Sequence, residues 1–227
     1  MKNRFAVALD FDGVFTNPHQ MKRAYLEDKG FRGIPVEMTS KEGAAQWGVP
    51  KTIYEAMINE LYTQGMEQMP EEPGMVTAFN RLKKEGCPLY VVTSRTDEQA
   101  KYMRKWLADR NLQLDGIVNT SEMPKSEAIK LIDASVFIDD SVSKLVEVAE
   151  NCPGTDCVLY QTPVNTKEEY PAGLDAYIAA WVAMPEMMHH YAIKFIKGHV
   201  ETLTGALATG TEQLREQRKS YERKGGK

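Results

Sequence analysis

The run Phe5-Ala6-Val7-Ala8-Leu9 leads directly into Asp10-Phe11-Asp12-Gly13-Val14, and that junction constrains the rest of the chain. An apolar run without polar alternation predicts a strand buried on both faces, as in a parallel sheet. Asp10 and Asp12 stand two residues apart, a spacing that in extended backbone sends both carboxylates to one side. Carboxylates placed together repel, and burying them is costly without a counter-charge. A metal cation and a catalytic task would explain the pair. An acidic turn after an ordinary strand is the other reading of Asp-x-Asp-Gly taken alone. Gly13 suits a sharp exit from the strand that a Cβ would hinder.

From Pro73 onward the chain alternates between two periodicities. Met75, Ala78, Phe79 and Leu82 have helical spacing, and Gly86 ends that helix. Leu89-Tyr90-Val91-Val92 predicts a second buried strand, and Asp97 to Asp109 a helix with Ala100, Met103 and Leu107 inward. Gly116-Ile117-Val118 is a short strand, Lys125 to Ile132 a helix, and Val136-Phe137-Ile138 a strand ending in Asp139-Asp140. Val142, Leu145, Val146 and Ala149 mark a further helix, and Val158-Leu159-Tyr160 closes the series. Strands and helices joined by short connections imply an α/β fold, a Rossmann-like parallel sheet with helices on both faces. Such sheets carry their sites at the carboxyl ends of the strands.

Between the first strand and Pro73 the pattern is helical instead. Thr39 and Glu42 suggest a capping box ahead of Ala44, Ala45 and Trp47, and Pro50 starts a helix with Ile53, Met57, Ile58 and Leu61 on one face. Pro70-Glu71-Glu72-Pro73-Gly74 punctuates the end of this insertion. The expected organisation is a core over 1–16 and 70–184, a helical cap over 17–69 and a C-terminal helical extension over 185–227. In that extension Met188, Tyr191, Phe195, His199 and Leu203 lie along one side, either packed on the main domain or forming a homo-oligomer seam. The basic end from Thr211 reads as a solvated helix end, and Gly225-Gly226-Lys227 as frayed chain.

Composition narrows the function classes. A net charge of −4 gives no general drive toward nucleic acid or anionic membrane. No apolar run reaches the roughly 20 residues of a membrane span, and no signal peptide precedes the first strand. Cys87, Cys152 and Cys157 are odd in number and lack CxxC spacing, which fits free thiols in a cytoplasmic protein. Cys87 has no neighbouring His and reads as inert, and His189, His190 and His199 read as surface or packing residues rather than metal ligands.

The polar residues that follow three of the strands carry the chemistry. Asp10 and Asp12 follow the first, Thr93, Ser94 and Arg95 the second, and Asp139 and Asp140 the Val136-Phe137-Ile138 strand. Lys125 opens the helix fourteen residues before Asp139. Brought to one sheet edge, these groups suit phosphoryl transfer. Carboxylates ligate a hard cation, one Asp can carry the phosphoryl group, another can move protons, and lysine and hydroxyl groups can hold the equatorial oxygens.

In this the sequence resembles the haloacid dehalogenase (HAD) superfamily of phosphohydrolases. Asp10-Phe11-Asp12-Gly13-Val14 is similar to its first motif, Val91-Val92-Thr93-Ser94 to its second, Lys125 to its third and Phe137-Ile138-Asp139-Asp140-Ser141 to its fourth, in that order. The resemblance implies that Asp10 is nucleophile and metal ligand and that Asp12 is acid and base, with its backbone carbonyl on Mg2+. It implies that Thr93 holds phosphate, that Lys125 pairs with Asp10 and the phosphoryl group, and that Asp140 ligates Mg2+ directly, with Asp139 direct or through water. Asp12 argues against dehalogenation. The insertion resembles the type 1 cap, in which Tyr25, Arg32, Lys41, Trp47, Tyr54 and Tyr62 are candidate substrate contacts, with cap core and solvated surface as the alternative.

The expected activity is therefore an Mg2+-dependent phosphoric monoester hydrolase, a cytoplasmic phosphatase acting through an aspartyl phosphate. Similarity to the nucleotidase and polynucleotide-phosphatase branches favours a nucleoside monophosphate as the small phosphorylated substrate. Ser94, Arg95, Thr93 and Lys125 are its candidate contacts. A polynucleotide 3′-phosphatase, another small-molecule phosphatase, and a non-catalytic binding module are the alternatives.

Overall fold

The computed structural model describes residues 5–121, 123–166 and 174–197. The chain divides into two units, Met1–Glu186 and Met187–Lys227. In the first, the order is β1 (Val7–Leu9), α1 (His19–Asp28), α2 (Lys41–Gln46), α3 (Lys51–Tyr62), α4 (Met75–Lys84), β2 (Leu89–Thr93) and α5 (Asp97–Asp109). It continues through β3 (Gly116–Asn119), α6 (Lys125–Ile132), β4 (Val136–Asp139), α7 (Val142–Asn151), β5 (Asp156–Tyr160) and β6 (Ala176–Ile178).

The strands form one parallel sheet in the order β3-β2-β1-β4-β5-β6. β1 is central, with Val7, Ala8 and Leu9 paired to Leu89, Tyr90 and Val91 on one side and to Val136, Phe137 and Ile138 on the other. All three β1 side chains are buried, as an unalternating apolar run requires. On one face Ala8, Val92 and Phe137 pack against Ala128, Ile129 and Ile132 of α6 and Leu145 and Val148 of α7. A second cluster joins Phe11 and Phe15 to Phe79 of α4, Trp106 of α5 and Trp181. The direction of strand succession reverses between β1 and β4, which opens a crevice at their carboxyl ends.

β5 does not close the sheet. β6 adds a parallel strand beside it, with Val158, Leu159 and Tyr160 matched to Ala176, Tyr177 and Ile178. Three residues with an exposed tyrosine at the centre carry too short a pattern to announce an edge strand.

Between β1 and β2 the chain is helical. α3 starts after Pro50 and turns Met57 and Leu61 inward. α2 is capped one residue later than Thr39 and Glu42 suggested. Ser40 accepts from the Gly43 N–H, while the Thr39 hydroxyl donates back to the Val36 carbonyl. The Thr39 hydroxyl is thus engaged in the preceding turn, and Ser40 takes the cap.

The chain enters and leaves this insertion side by side. Thr16 bridges Glu71, the Asn17 N–H donates to Pro70 O at 2.9 Å, and the Glu72 N–H donates to Phe15 O at 2.8 Å. The Trp106 indole anchors the exit at Met69 O. The Glu72 carboxylate is buried here, accepts from the Tyr160 hydroxyl at 3.2 Å, and is pushed up by that burial to about 7. A carboxyl whose folded value lies above its unfolded one binds more protons when folded. Its contribution is therefore fully present below the unfolded value of 4.5 and is lost as pH rises through 7. Glu72→Gln should flatten that dependence and stabilise the protein at pH 8 by on the order of 2 kcal/mol. Urea titrations of both proteins at pH 5 and pH 8 check this, and parallel pH curves would refute it.

In the second unit residues 187–197 are helical, with Met188 and Tyr191 buried and His189 and His190 exposed, which leaves the latter pair on the surface. His199, Leu203 and the basic end from Thr211 lie outside the described residues. No helix among the described residues is long and apolar enough to cross a membrane.

Candidate active site

Asp10 continues β1, and its N–H donates to Ile138 O at 2.8 Å, so the backbone ladder itself points this residue into the crevice. Lys125 reaches it from the first turn of α6, where Pro124 starts the helix. A lysine there opposes the helix dipole, so its charge needs another reason to be in place. The Lys125 Nζ donates to Asp10 Oδ1 at 2.6 Å and to Asp139 Oδ2 at 2.7 Å, all three groups being buried. Asp139 Oδ1 in turn accepts from the Ser141 N–H at 2.8 Å. Asp139 is thereby fixed by protein donors on both oxygens.

Gly13 has φ +83°, and a Cβ there would collide with the Asp140 carboxylate. Its absence lets the turn after Asp12 close over Asp140. Ligand oxygens of Asp10, Asp139 and Asp140 all lie within 4.8 Å of one another. Lys125 bonds two of these three carboxylates, and the surplus negative charge shows in the proton affinities of Asp10 and Asp140. Burial pushes Asp10 up to about 7, with Asp139 and Asp12 acting in the same direction and Lys125 against it. Burial, Asp139 and Asp10 hold Asp140 well above the usual carboxylate range. An all-oxygen donor set with surplus negative charge fits a hard divalent cation such as Mg2+.

Asp12 is held differently. Arg95 donates Nε to Asp12 Oδ2 at 2.9 Å and Nη2 to Asp12 Oδ1 at 2.7 Å, a bidentate pair between residues 83 apart. The guanidinium is 3% exposed, lies 4.3 Å from the Tyr62 ring centroid, and also donates to Met66 Sδ and Gln99 O. Thr96 is the N-cap of α5 and forms a capping box with Gln99, so Arg95 stands just outside the helix, free to turn back on Asp12. Thr93 ends β2, buried, with its carbonyl accepting from the Thr120 N–H at 2.8 Å. Ser94, exposed beside it, meets the Thr120 hydroxyl at 3.2 Å.

Asp10, Asp12, Thr93, Ser94, Arg95, Lys125, Asp139 and Asp140 therefore line one cavity of about 300 Å³. From the helical insertion, Pro18, Lys22, Ile58 and Tyr62 complete it. Of the insertion residues named as candidate substrate contacts, Tyr62 alone lines this cavity. Tyr25, Arg32, Lys41, Trp47 and Tyr54 do not line it. Pro18 and Lys22 of the insertion, with Gln99 and Lys144, are the cavity residues that sequence reasoning missed. In the structure His19, Lys22 and Leu26 fall on one buried face of α1, a face that the sequence pattern alone does not mark.

No protein-family profile matches the chain, and no curated protein matches it by sequence. Solved structures do match. A HAD family hydrolase from Deinococcus radiodurans R1, with phosphate and sodium bound, aligns at TM-score 0.60 and 14% identity over 84% of this chain and 97% of that one. The chain has the HAD fold. CbbY from Rhodobacter sphaeroides, in complex with phosphate, aligns at TM-score 0.53 and 18% identity over 79% of this chain and 95% of its own. A HAD-superfamily hydrolase from Ehrlichia chaffeensis aligns at TM-score 0.54 and 16% identity over 84% and 98% of the two chains. In this chain Asp10 and Asp139 flank the reversal of strand order between β1 and β4.

Proposed function

We propose that this chain is a Mg2+-dependent phosphatase that hydrolyses phosphate monoesters through an aspartyl phosphate, with nucleoside monophosphates the favoured substrate class. The observation that carries the reading is the Lys125 ammonium set between Asp10 and Asp139, with Asp140 beside them and Asp12 gripped by Arg95. Such a site holds one carboxylate ready to attack and a second held apart for proton transfer.

Asp12 takes a proton from solvent as it leaves Arg95; Asp10 then attacks phosphorus as the bond to the leaving oxygen breaks, and Asp12 gives that oxygen its proton. Asp12 then takes a proton from water, whose oxygen attacks the phosphorus, and Asp10 is released with phosphate. Both Asp12 oxygens rest on Arg95, so each transfer exchanges the guanidinium for the reacting oxygen, and Arg95 returns Asp12 to position afterwards. Lys125 opposes the effect of burial on Asp10 and so favours the nucleophilic carboxylate. Thr93, at the end of β2, is placed to receive a phosphoryl oxygen. Asp10, Asp139 and Asp140 would hold the divalent cation, which when bound supplies positive charge against the phosphoryl oxygens. The insertion acts as a lid, and its Pro18, Ile58 and Tyr62 form an apolar wall for the sugar or base.

Phosphate release from nucleoside monophosphates, sugar phosphates and a 3′-phosphorylated oligonucleotide, with and without Mg2+, tests the proposal. Cation-dependent turnover greatest on the mononucleotides is expected. No release from any ester in Mg2+ would overturn the activity. Preference for the oligonucleotide would move the substrate to the polynucleotide class.

A further inference from the structure

Lys22, Arg95, Lys125 and Lys144 bring positive charge to the cavity wall. Arg95 is committed to both oxygens of Asp12, and Lys125 to Asp10 and Asp139. Lys144, on α7, is half-exposed and open to water. Lys22 differs from all three. It is 8% exposed, its Nζ stands 5.7 Å from the Tyr62 ring centroid, and among the described residues it makes no ion pair and donates no side-chain hydrogen bond. An ammonium carries three donors, and those of Lys22 open into the cavity with no protein acceptor among the described residues.

The charges on the wall sort into pairs. Arg95 cancels Asp12, and Lys125 cancels one of the Asp10 and Asp139 charges. The other, with Asp140, matches a divalent cation. Lys22 and Lys144 remain, and together they match the charge of about −2 on one phosphate monoester. Lys22 lines the same cavity as Asp12 and Asp140, which stand at the carboxyl ends of β1 and β4; burial lowers its proton affinity and those two carboxylates oppose the effect.

We propose that Lys22 is a phosphoryl-binding residue carried by the lid, donating to an oxygen of the transferring group, so that the site accepts one phosphate on an uncharged leaving group. This deepens the phosphatase reading and rests on it for the leaving group, but not for the binding of phosphate itself. Because Lys22 rides on α1, phosphate drawn to it also draws the lid onto the core.

Titration calorimetry of the full chain with inorganic phosphate in saturating Mg2+ tests the binding, and thermal melts without phosphate test the fold. Lys22→Met should weaken phosphate binding on the order of 10–100-fold, the loss of a charge-assisted hydrogen bond, and Lys22→Arg should restore most of it. Lys22→Met should melt within a few degrees of the parent, because an apolar side chain of similar length is put in place of an ammonium that makes no ion pair and no side-chain hydrogen bond. Unchanged phosphate affinity in Lys22→Met, absence of phosphate binding by the parent, or a melting temperature lowered by more than a few degrees with no rescue by Lys22→Arg would each overturn the proposal. If phosphate binding depends on Lys22 but no ester is hydrolysed, the activity fails and the phosphate site stands. For the leaving group, a nucleoside monophosphate should exceed its 3′,5′-bisphosphate at least about tenfold in kcat/KM, the cost of an unmatched second charge. Equal values would remove the uncharged-leaving-group clause.

Discussion

Asp10→Asn should yield a folded protein whose phosphate release in Mg2+ falls by about 10⁴-fold or more, the scale on which loss of a covalent nucleophile acts. Asparagine keeps the shape of the side chain, and its carbonyl can still accept from Lys125, which also keeps Asp139 at 2.7 Å. The fold therefore loses little. It also sheds a carboxylate whose proton affinity burial and Asp139 have already raised to about 7, so the variant should melt within a few degrees of the parent or above it. A stopped assay of inorganic phosphate beside a thermal melt separates the two effects. Turnover above about 1% of the parent rate would assign the nucleophile elsewhere, since a bystander carboxylate in this position costs far less.

That prediction could be written from sequence because the catalytic groups sit where local patterns end. An apolar run stopping at Asp10, another at Thr93 and a third at Asp139 mark strand ends without knowledge of the neighbours. Lys125 was legible from its place at a helix start fourteen residues before Asp139 and from the order of the motifs. A lysine there goes against the helix dipole, and the two carboxylates it bridges in the structure account for its position. The Arg95 grip on Asp12 was not legible, because it joins residues 83 apart through a backbone turn set by the α5 capping box. Lys22 was obscured by a helix whose other residues, His19, Gln20 and Arg23, give no clear apolar stripe. Its inward face is defined only once α3 and the strand ends surround it. β6 was missed because a parallel edge strand takes its register from a partner far away in sequence, Val158 to Tyr160, and not from its own three residues.

Lys125→Met should destabilise the fold far more than Lys22→Met. Both replace an ammonium on the cavity wall by an unbranched apolar chain, yet Lys125 leaves two carboxylates behind and Lys22 leaves no broken ion pair. Removing one partner of a buried ion pair costs about 3–5 kcal/mol, most of it the stranded charge. The loss should be largest in chelator at pH 8. Without Lys125 the Asp10 carboxyl, already raised to about 7, rises further above its unfolded value of 3.8. A carboxyl raised in this way withdraws stability as pH climbs through its folded value, so at pH 5 much of the deficit should disappear. A divalent cation at the Asp10, Asp139 and Asp140 oxygens supplies the missing positive charge, so Mg2+ should stabilise Lys125→Met more than it stabilises the parent. Urea titrations at the two pH values, each in chelator and in Mg2+, give the four comparisons. Equal stability of parent and variant in chelator at pH 8 would mean that the lysine does not carry the negative charge that the geometry places on it.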